Sequence, residues 1–281
     1  MQHPSAEPPL PLLILACLAL ALIAWLAWQP RLVQRRRARV QARPFPDAWR
    51  AILQRRVPYV RHMPADLQLQ LKKHIQVFLS EKVFIGCAGL AITDEMRVTI
   101  AAQACLLILN RPTGYYPELR QILVYPGAFR VDHHHVDDAG VMQAHRQTLS
   151  GESWVQGQVI LSWDDTLEGA AITDDAYNVV LHEFAHQLDS EKGYTSGAPI
   201  LEGPRRYERW SRVMQRAYDV LCAQVDRHEE TFLDPYAATN PAEFFAVVTE
   251  TFFEQPADLA HALPDVYAEL CGFYRINPLS W

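Results

Sequence analysis

The chain has 281 residues, 49% of them hydrophobic, with a net charge of −6 and a sequence pI near 6.0. This length and apolar content allow a buried core, which excludes an intrinsically disordered protein. The acidic balance argues against the clustered basic surface of nucleic-acid-binding domains, so we expect no nucleic-acid partner. Five widely spaced cysteines without a CxxC pair predict neither a disulfide framework nor a thiolate metal site.

The first predicted element is an uncharged run from Leu10 to Trp28, LPLLILACLALALIAWLAW, which follows a short tail over residues 1–9. As a helix it would reach roughly 28 Å, close to the hydrocarbon thickness of a bilayer. A cleavable signal peptide is the alternative, but no basic residue precedes the run, and Trp25 and Trp28 occupy the end where cleavage needs small residues. The run therefore predicts a single-pass transmembrane helix, and the arginines that follow it place the rest of the chain in the cytoplasm. A buried or interfacial helix is the other interpretation.

Residues 29–46 form a predicted basic linker, and residues 47–281 a single domain. Apolar residues at helical spacing predict helices from about 47 to 110, with Thr93 or Asp94 as a cap. Between 118 and 164, short β-branched runs broken by Pro, Gly and Asp predict a small mixed or antiparallel sheet. Helices return from about 173 to the end. This order of elements predicts an α+β domain.

Two motifs in the predicted sheet region allow more than one interpretation. Three consecutive histidines, His133, His134 and His135, suggest a second metal site, but successive side chains on a strand point to opposite faces. An exposed loop or strand end is therefore favoured. The WDD motif from Trp163 to Asp165 follows the strand VILS, and it is either a turn or a substrate contact beside an edge strand.

The stretch VVLHEFAHQLD, residues 179–189, carries the strongest chemical signal. Positions four apart lie on one face of a helix, so His182 and His186 can direct both imidazoles at one point. Catalytic zinc takes three protein ligands and a water, and Glu183 would stand beside that water and accept its proton. Thr173 and Asp174 offer a start for the helix. The alternative is an ordinary buried helix with structural histidines.

A third metal ligand must come from another part of the chain. In NPAEFFAVVTE, Glu243 projects from the first turn of an apolar helix, where a carboxylate is costly to bury unless a cation neutralises it. Glu250, seven residues on, shares that face and is a second candidate, as a ligand or as a hydrogen-bond partner of a ligand. The remaining possibility is that another residue, which the sequence does not identify, is the third ligand. Asp189 is expected either to accept a hydrogen bond from a ligand imidazole or to lie in an exposed turn.

Four stretches in this order, LSGESW, VILSWDD, LHEFAHQLD and YAATNPAEFFAV, resemble Mlc titration factor A and its relatives, a family of bacterial zinc-dependent peptidases. The resemblance covers roughly residues 45 to 275. It implies one Zn²⁺ held by His182, His186 and Glu243, with Glu183 as the catalytic glutamate. It also matches a family tyrosine to Tyr236, whose phenol could donate to an oxyanion; a packed aromatic near a turn is the alternative. The implied fold is zincin-like, similar to the catalytic domain of anthrax lethal factor.

These observations lead to two main functional hypotheses. The first is a zinc-dependent peptidase that acts on peptide or protein substrates, with an aminopeptidase-like preference implied by the resemblance alone. The second is a non-catalytic binding protein, because the family namesake sequesters a transcriptional repressor of sugar uptake. A zinc hydrolase for non-peptide amides is a weaker third. The predicted location is the bacterial inner membrane, although the best-known family member is a soluble cytosolic protein, so a cytoplasmic protein is the alternative.

Overall fold

The computed structural model describes residues 10–112, 114–127, 129–136, 142–149, 151–154 and 157–281. The chain divides into two compact units, the first ending at Pro44 and the second covering Phe45–Trp281. In the first unit, the described residues contain one helix, α1 (Leu10–Gln41), which runs without interruption through Pro30 into the arginine-rich segment.

The transmembrane prediction for residues 10–28 is wrong. Within the described part of the chain, no helix combines the length and the apolar character that crossing a bilayer requires. The apolar run is only the first part of a longer helix, which continues to Gln41. This helix therefore includes most of residues 29–46, which were predicted as a linker. The single-pass inner-membrane location, which depended on this span, is therefore wrong as well.

The second unit is mostly helical. Its helices are α2 (Asp47–Arg56), α3 (Ala65–Glu81), α4 (Asp94–Leu106), α5 (Trp163–Ala171), α6 (Val179–Asp189), α7 (Pro204–Asp226), α8 (Pro241–Glu254), α9 (Pro256–Ala262) and α10 (Pro264–Tyr274). Its strands are β1 (Val83–Gly86), β2 (Gln121–Tyr125), β3 (Phe129–Val136), β4 (Met142–Leu149), β5 (Gly151–Trp154) and β6 (Gln158–Ser162). The predicted cap of α4 is confirmed, since the Thr93 side chain accepts from the Met96 N–H.

The described strands form a small sheet in the order β1-β2-β6-β5 and a separate antiparallel pair, β3 with β4. In the sheet β1, β2 and β6 run parallel, and β5 pairs antiparallel with β6. The mixed sheet is confirmed and the antiparallel alternative is wrong. The predicted fold class needs correction, because the unit is mostly helical with three parallel strands rather than the zincin-like α+β domain behind a membrane helix that we expected. The parallel order arises because α4 connects β1 to β2.

The sheet also corrects two smaller expectations. Strand β6, which carries VILS, lies between β2 and β5, so it is not an edge strand of the described sheet. The turn expected for the WDD motif is wrong, because the motif forms the first turn of α5, where the Ser162 side chain accepts from the Asp165 N–H. The substrate contact stays a prediction. His133, His134 and His135 lie within β3, and their side chains fall outside the described part of the structure.

Helix α4 lies at the centre of the second unit. Residues from all around this helix are buried, among them Val98, Ile100, Ala101 and Cys105, as expected for a helix that other elements surround. Helix α6 packs in the same core through Phe184, whose ring centroid lies 4.9 Å from that of Tyr116 and 5.8 Å from that of Phe78. These aromatic contacts fix the face that α6 turns toward the core, and thus the face on which its histidines lie.

The start of α6 is set by Asn178 rather than by Thr173 or Asp174. Asn178 is extended, with φ −141° and ψ 97°, and its side-chain oxygen accepts from the Leu181 N–H at 3.0 Å. Its side-chain nitrogen lies within hydrogen-bond distance of the Gln103 Oε1, the Gly169 carbonyl and the Glu254 Oε1. The predicted start is wrong, because Asn178 is the buried N-cap and the helix begins at the next residue, Val179.

Candidate metal centre

Helices α6 and α8 bring three of the predicted ligands together. The Nε2 atoms of His182 and His186 lie 3.2 Å apart, and the Glu243 Oε2 lies 3.0 Å from the first and 3.3 Å from the second. The histidines are four residues apart on α6, while Glu243 stands in the first turn of α8 behind the cap Asn240. Two separate helices therefore present two imidazole nitrogens and one carboxylate oxygen to a single point.

The spacing of these three atoms fits a tetrahedral ion. Ligands about 2.0–2.1 Å from a tetrahedral zinc are separated from each other by about 3.3 Å. The three observed separations, 3.0, 3.2 and 3.3 Å, are close to that value. Two imidazoles and a carboxylate are also a donor set that catalytic zinc uses, with the fourth position left open. The residues present could therefore hold one metal ion.

Glu250 orients the first histidine instead of joining the cluster. Its Oε1 lies 2.8 Å from the His182 Nδ1, and its Oε2 accepts from the Asn178 N–H at 2.6 Å. A carboxylate at Nδ1 keeps the proton on that nitrogen and leaves the Nε2 lone pair directed at the point shared with His186 and Glu243. Of the two roles foreseen for Glu250, the structure favours the second, because Glu250 is a hydrogen-bond partner of His182 and lies outside the three-atom cluster.

The electrostatics of the cluster favour a cation. Burial alone would lower the pKa of His182, but the carboxylates of Glu250, Glu243 and Glu183 together hold that pKa well above its usual value. Burial alone would raise the pKa of Glu243, yet its hydrogen bonds to His182 and His186 hold it far below the usual range, so Glu243 is a carboxylate. The negative field of these carboxylates, which raises the pKa of His182, also favours a metal cation at its Nε2.

The two predicted catalytic side chains lie beside this cluster. Glu183 is buried on α6, 4% exposed, and its charge acts on both His182 and Tyr236. Tyr236 stands in a short 3₁₀ helix, Pro235–Ala238, with its ring centroid 6.1 Å from that of His182. Burial, and then the charges of Glu243 and Glu183, raise the pKa of Tyr236 to about 12. Its phenol is therefore protonated at neutral pH and able to donate a hydrogen bond.

The segment after α6 packs closely against the start of α8. Asp189 is fully buried, and its Oδ2 accepts from the backbone N–H groups of Ser196 and Gly197, each at 2.6 Å. Gly197 has φ +73°, and a Cβ there would stand 2.2 Å from the Pro241 carbonyl oxygen at the start of α8. Both expectations for Asp189 are wrong, because its carboxylate binds backbone amides of this segment rather than an imidazole or solvent.

Sequence reasoning missed a half-buried polar group next to Glu250. Glu254, one turn further along α8, bonds to Asn178, and burial followed by the charge of Glu250 raises its pKa to about 9 despite that bond. At neutral pH it is therefore a carboxylic acid rather than a carboxylate. The signal was present in the sequence, since Glu243, Glu250 and Glu254 recur at helical spacing in an otherwise apolar segment.

Comparisons with known proteins identify the family of this chain. The uncharacterized protein slr2042 of Synechocystis sp. is 40% identical over 271 residues, which cover 96% of this chain and 98% of that protein. Mlc titration factor A of Klebsiella pneumoniae is 33% identical over 80% of this chain and 84% of its own length, and that of Pectobacterium atrosepticum is 32% identical over 83% and 88%. The profile of the family described as glucose-regulated metallo-peptidase M90 matches residues 32–275. The resemblance to Mlc titration factor A is thus confirmed, and the chain belongs to the M90 family of metallopeptidases.

Proposed function

We propose that this protein is a zinc-dependent peptidase whose metal is held by His182, His186 and Glu243. A zinc ion bound there supplies Lewis acidity for the attack of water on an amide carbonyl. The observation that carries the proposal is the convergence of three donor atoms from two helices, at separations of 3.0 to 3.3 Å, beside a buried glutamate.

Two side chains move or donate protons in the proposed reaction. Glu183 accepts a proton from the attacking water and delivers it to the leaving amine, the usual role of the glutamate in HExxH. Tyr236, whose pKa is raised to about 12, keeps its proton and donates a hydrogen bond to the carbonyl oxygen as negative charge develops there. Half of the tyrosine side chain is exposed, so a substrate can reach it.

Metal removal tests the proposal directly. We expect the purified protein to contain about one zinc ion per chain and to hydrolyse members of a peptide panel, with activity lost on chelation and restored by stoichiometric zinc. Peptides with free and blocked amino termini, measured side by side, test the aminopeptidase-like preference. A protein that binds zinc but cleaves none of these peptides would contradict the peptidase proposal and leave the metal site intact.

The role of Glu250 gives a second, independent measurement. In Glu250→Gln the amide can still face His182, but it no longer attracts the Nδ1 proton as a carboxylate does. We therefore expect the zinc affinity to fall about 10–100-fold while the fold is retained. Competition with a chromophoric chelator measures the affinity, and circular dichroism checks the fold. Glu230→Gln, an exposed substitution of the same kind, serves as the control and should leave the affinity unchanged.

Binding of a transcriptional regulator is a second candidate function. It is favoured by the name of the relatives at 32–33% identity, Mlc titration factor A. The two functions are separable, because Glu183→Gln removes the proposed general base without altering exposed surface other than at the site. If binding of a purified repressor persists in Glu183→Gln, binding does not require hydrolysis; if no repressor binds to the wild-type chain, this second proposal fails and the peptidase proposal stands.

A further inference from the structure

A polar cavity lies apart from the three proposed metal ligands. It has a volume of about 390 Å³ and is formed by the segment after α4, the start of α7 and the end of α10. Three arginines line it, Arg111, Arg206 and Arg275, and we call it the arginine pocket. Its volume is at the lower end of the range for pockets that bind small molecules.

Arg111 is held in place by an aromatic ring. Its guanidinium carbon lies 3.8 Å from the centroid of Phe273, so the charged group stacks on the ring face. Among the described residues, its buried Nη1 has no hydrogen-bond acceptor. Burial lowers the pKa of Arg111, which shows that its charge is costly where it stands. Stacking on Phe273 fixes the plane of the guanidinium, and a planar guanidinium held in this way can bind an oxyanion through the fork of its N–H groups.

Arg206, in the first part of α7, is the second arginine of the pocket. Its buried Nε likewise finds no acceptor in the described part of the chain. Its guanidinium lies against α10 at Gly272, where a Cβ would come within 3.0 Å of Nη2 and 3.2 Å of Nη1. Glycine at this position leaves the guanidinium room to lie close to the helix, at the usual cost of a glycine inside a helix. A loop and a helix thus bring the guanidinium groups of two arginines to the lining of one cavity.

The charges around the cavity leave a positive surplus. Two glutamates line it beside the three arginines, Glu191 and Glu202. Glu202 pairs with Arg275, but their side chains are 80% and 44% exposed, so water and salt weaken this pair. The inner part of the cavity therefore holds Arg111 and Arg206 against the single carboxylate of Glu191.

We propose that the arginine pocket is a binding site for a small oxyanion, the phosphate or carboxylate group of a low-molecular-weight ligand. The guanidinium groups of Arg111 and Arg206 supply charge-assisted hydrogen bonds, and Arg275 adds a third positive charge. Nothing in this proposal depends on the peptidase activity or on a bound metal.

Calorimetric titration of the full chain tests the proposal, with inorganic phosphate and succinate as separate probes at constant ionic strength. We expect saturable binding of at least one probe at one site per chain, and the probe that binds identifies the class of anion. Arg206→Gln should weaken it tenfold or more, because a charge-assisted donor is lost. Arg216→Gln removes the same charge from an exposed position on α7 and should change the affinity less than twofold.

Glu202→Gln changes the affinity in the opposite direction. It removes an exposed carboxylate and releases Arg275, so binding should become about threefold tighter with no risk to the core. This variant keeps the test valid if Arg206→Gln fails to fold. Absence of saturable binding by both probes overturns the proposal, and leaves ordered water as the partner of the buried donors. Equal affinity in the wild type and in both Arg206→Gln and Glu202→Gln overturns it too.

Discussion

Replacement of Glu183 by glutamine is expected to lower kcat/KM for peptide hydrolysis by roughly 10²–10⁴-fold, the range for loss of a general acid–base group. Glutamine is close to glutamate in size and fits the same buried position on α6, where Glu183 is 4% exposed. It cannot accept a proton from water at neutral pH. Initial rates on the best substrate of a peptide panel measure the loss, and zinc analysis of the same sample should still give about one ion per chain.

A matched substitution separates this effect from a change of charge. Glu208→Gln removes one carboxylate from an exposed position on α7 and should leave kcat/KM within twofold of the wild-type value. Retention of a third or more of the wild-type activity in Glu183→Gln would show that another residue activates the water.

Glu243→Ala is expected to weaken zinc binding by well over 100-fold and to abolish hydrolysis. Loss of a group that merely supports a ligand costs 10–100-fold in affinity, and the loss of a direct ligand should exceed that. The two imidazoles 3.2 Å apart would remain, but without the oxygen that lies 3.0 and 3.3 Å from them. Zinc content after dialysis and chelator competition give the affinity.

The comparison with Glu250 makes this result decisive. Glu250→Ala should retain zinc more strongly than Glu243→Ala, because Glu250 contacts the far nitrogen of His182 and not the shared point. The reverse order would make Glu250 the ligand and would overturn the proposed donor set. A zinc-free Glu243→Ala protein that still cleaves peptides would remove the metal from the mechanism altogether.

The histidine pair could be predicted because helix geometry alone places His182 and His186 on one face. Glu243 was predicted as the third ligand from its position in an apolar helix. Glu250 was a second candidate for the same role, since residues seven apart share a face of the helix. Only the packing of α6 on α8 separates their roles, and this packing depends on contacts between distant segments. The same holds for Asn178 and Asp189, whose partners Glu254 and Gly197 are chosen by the tertiary structure.

Two parts of the fold were misread for related reasons. The strand Val83–Gly86 is only four residues long and follows a helix directly, so its local pattern could not reveal the pairing with Gln121–Val124 that defines it. The apolar run after Leu10 matched the length of a membrane span, but hydropathy within that window gave no sign that the helix continues to Gln41. Both errors arose where a local pattern was taken to set the bounds of an element.

The contact of Asp189 with Ser196 and Gly197, and of Gly197 with Pro241, has a thermodynamic consequence for metal uptake. Because the chain itself fixes the distance between α6 and α8, the free protein has already met the conformational cost of assembling the three donors. Uptake should then proceed with little change in heat capacity or in backbone dynamics. Release of the ion should likewise leave a folded apoprotein that can be recharged repeatedly.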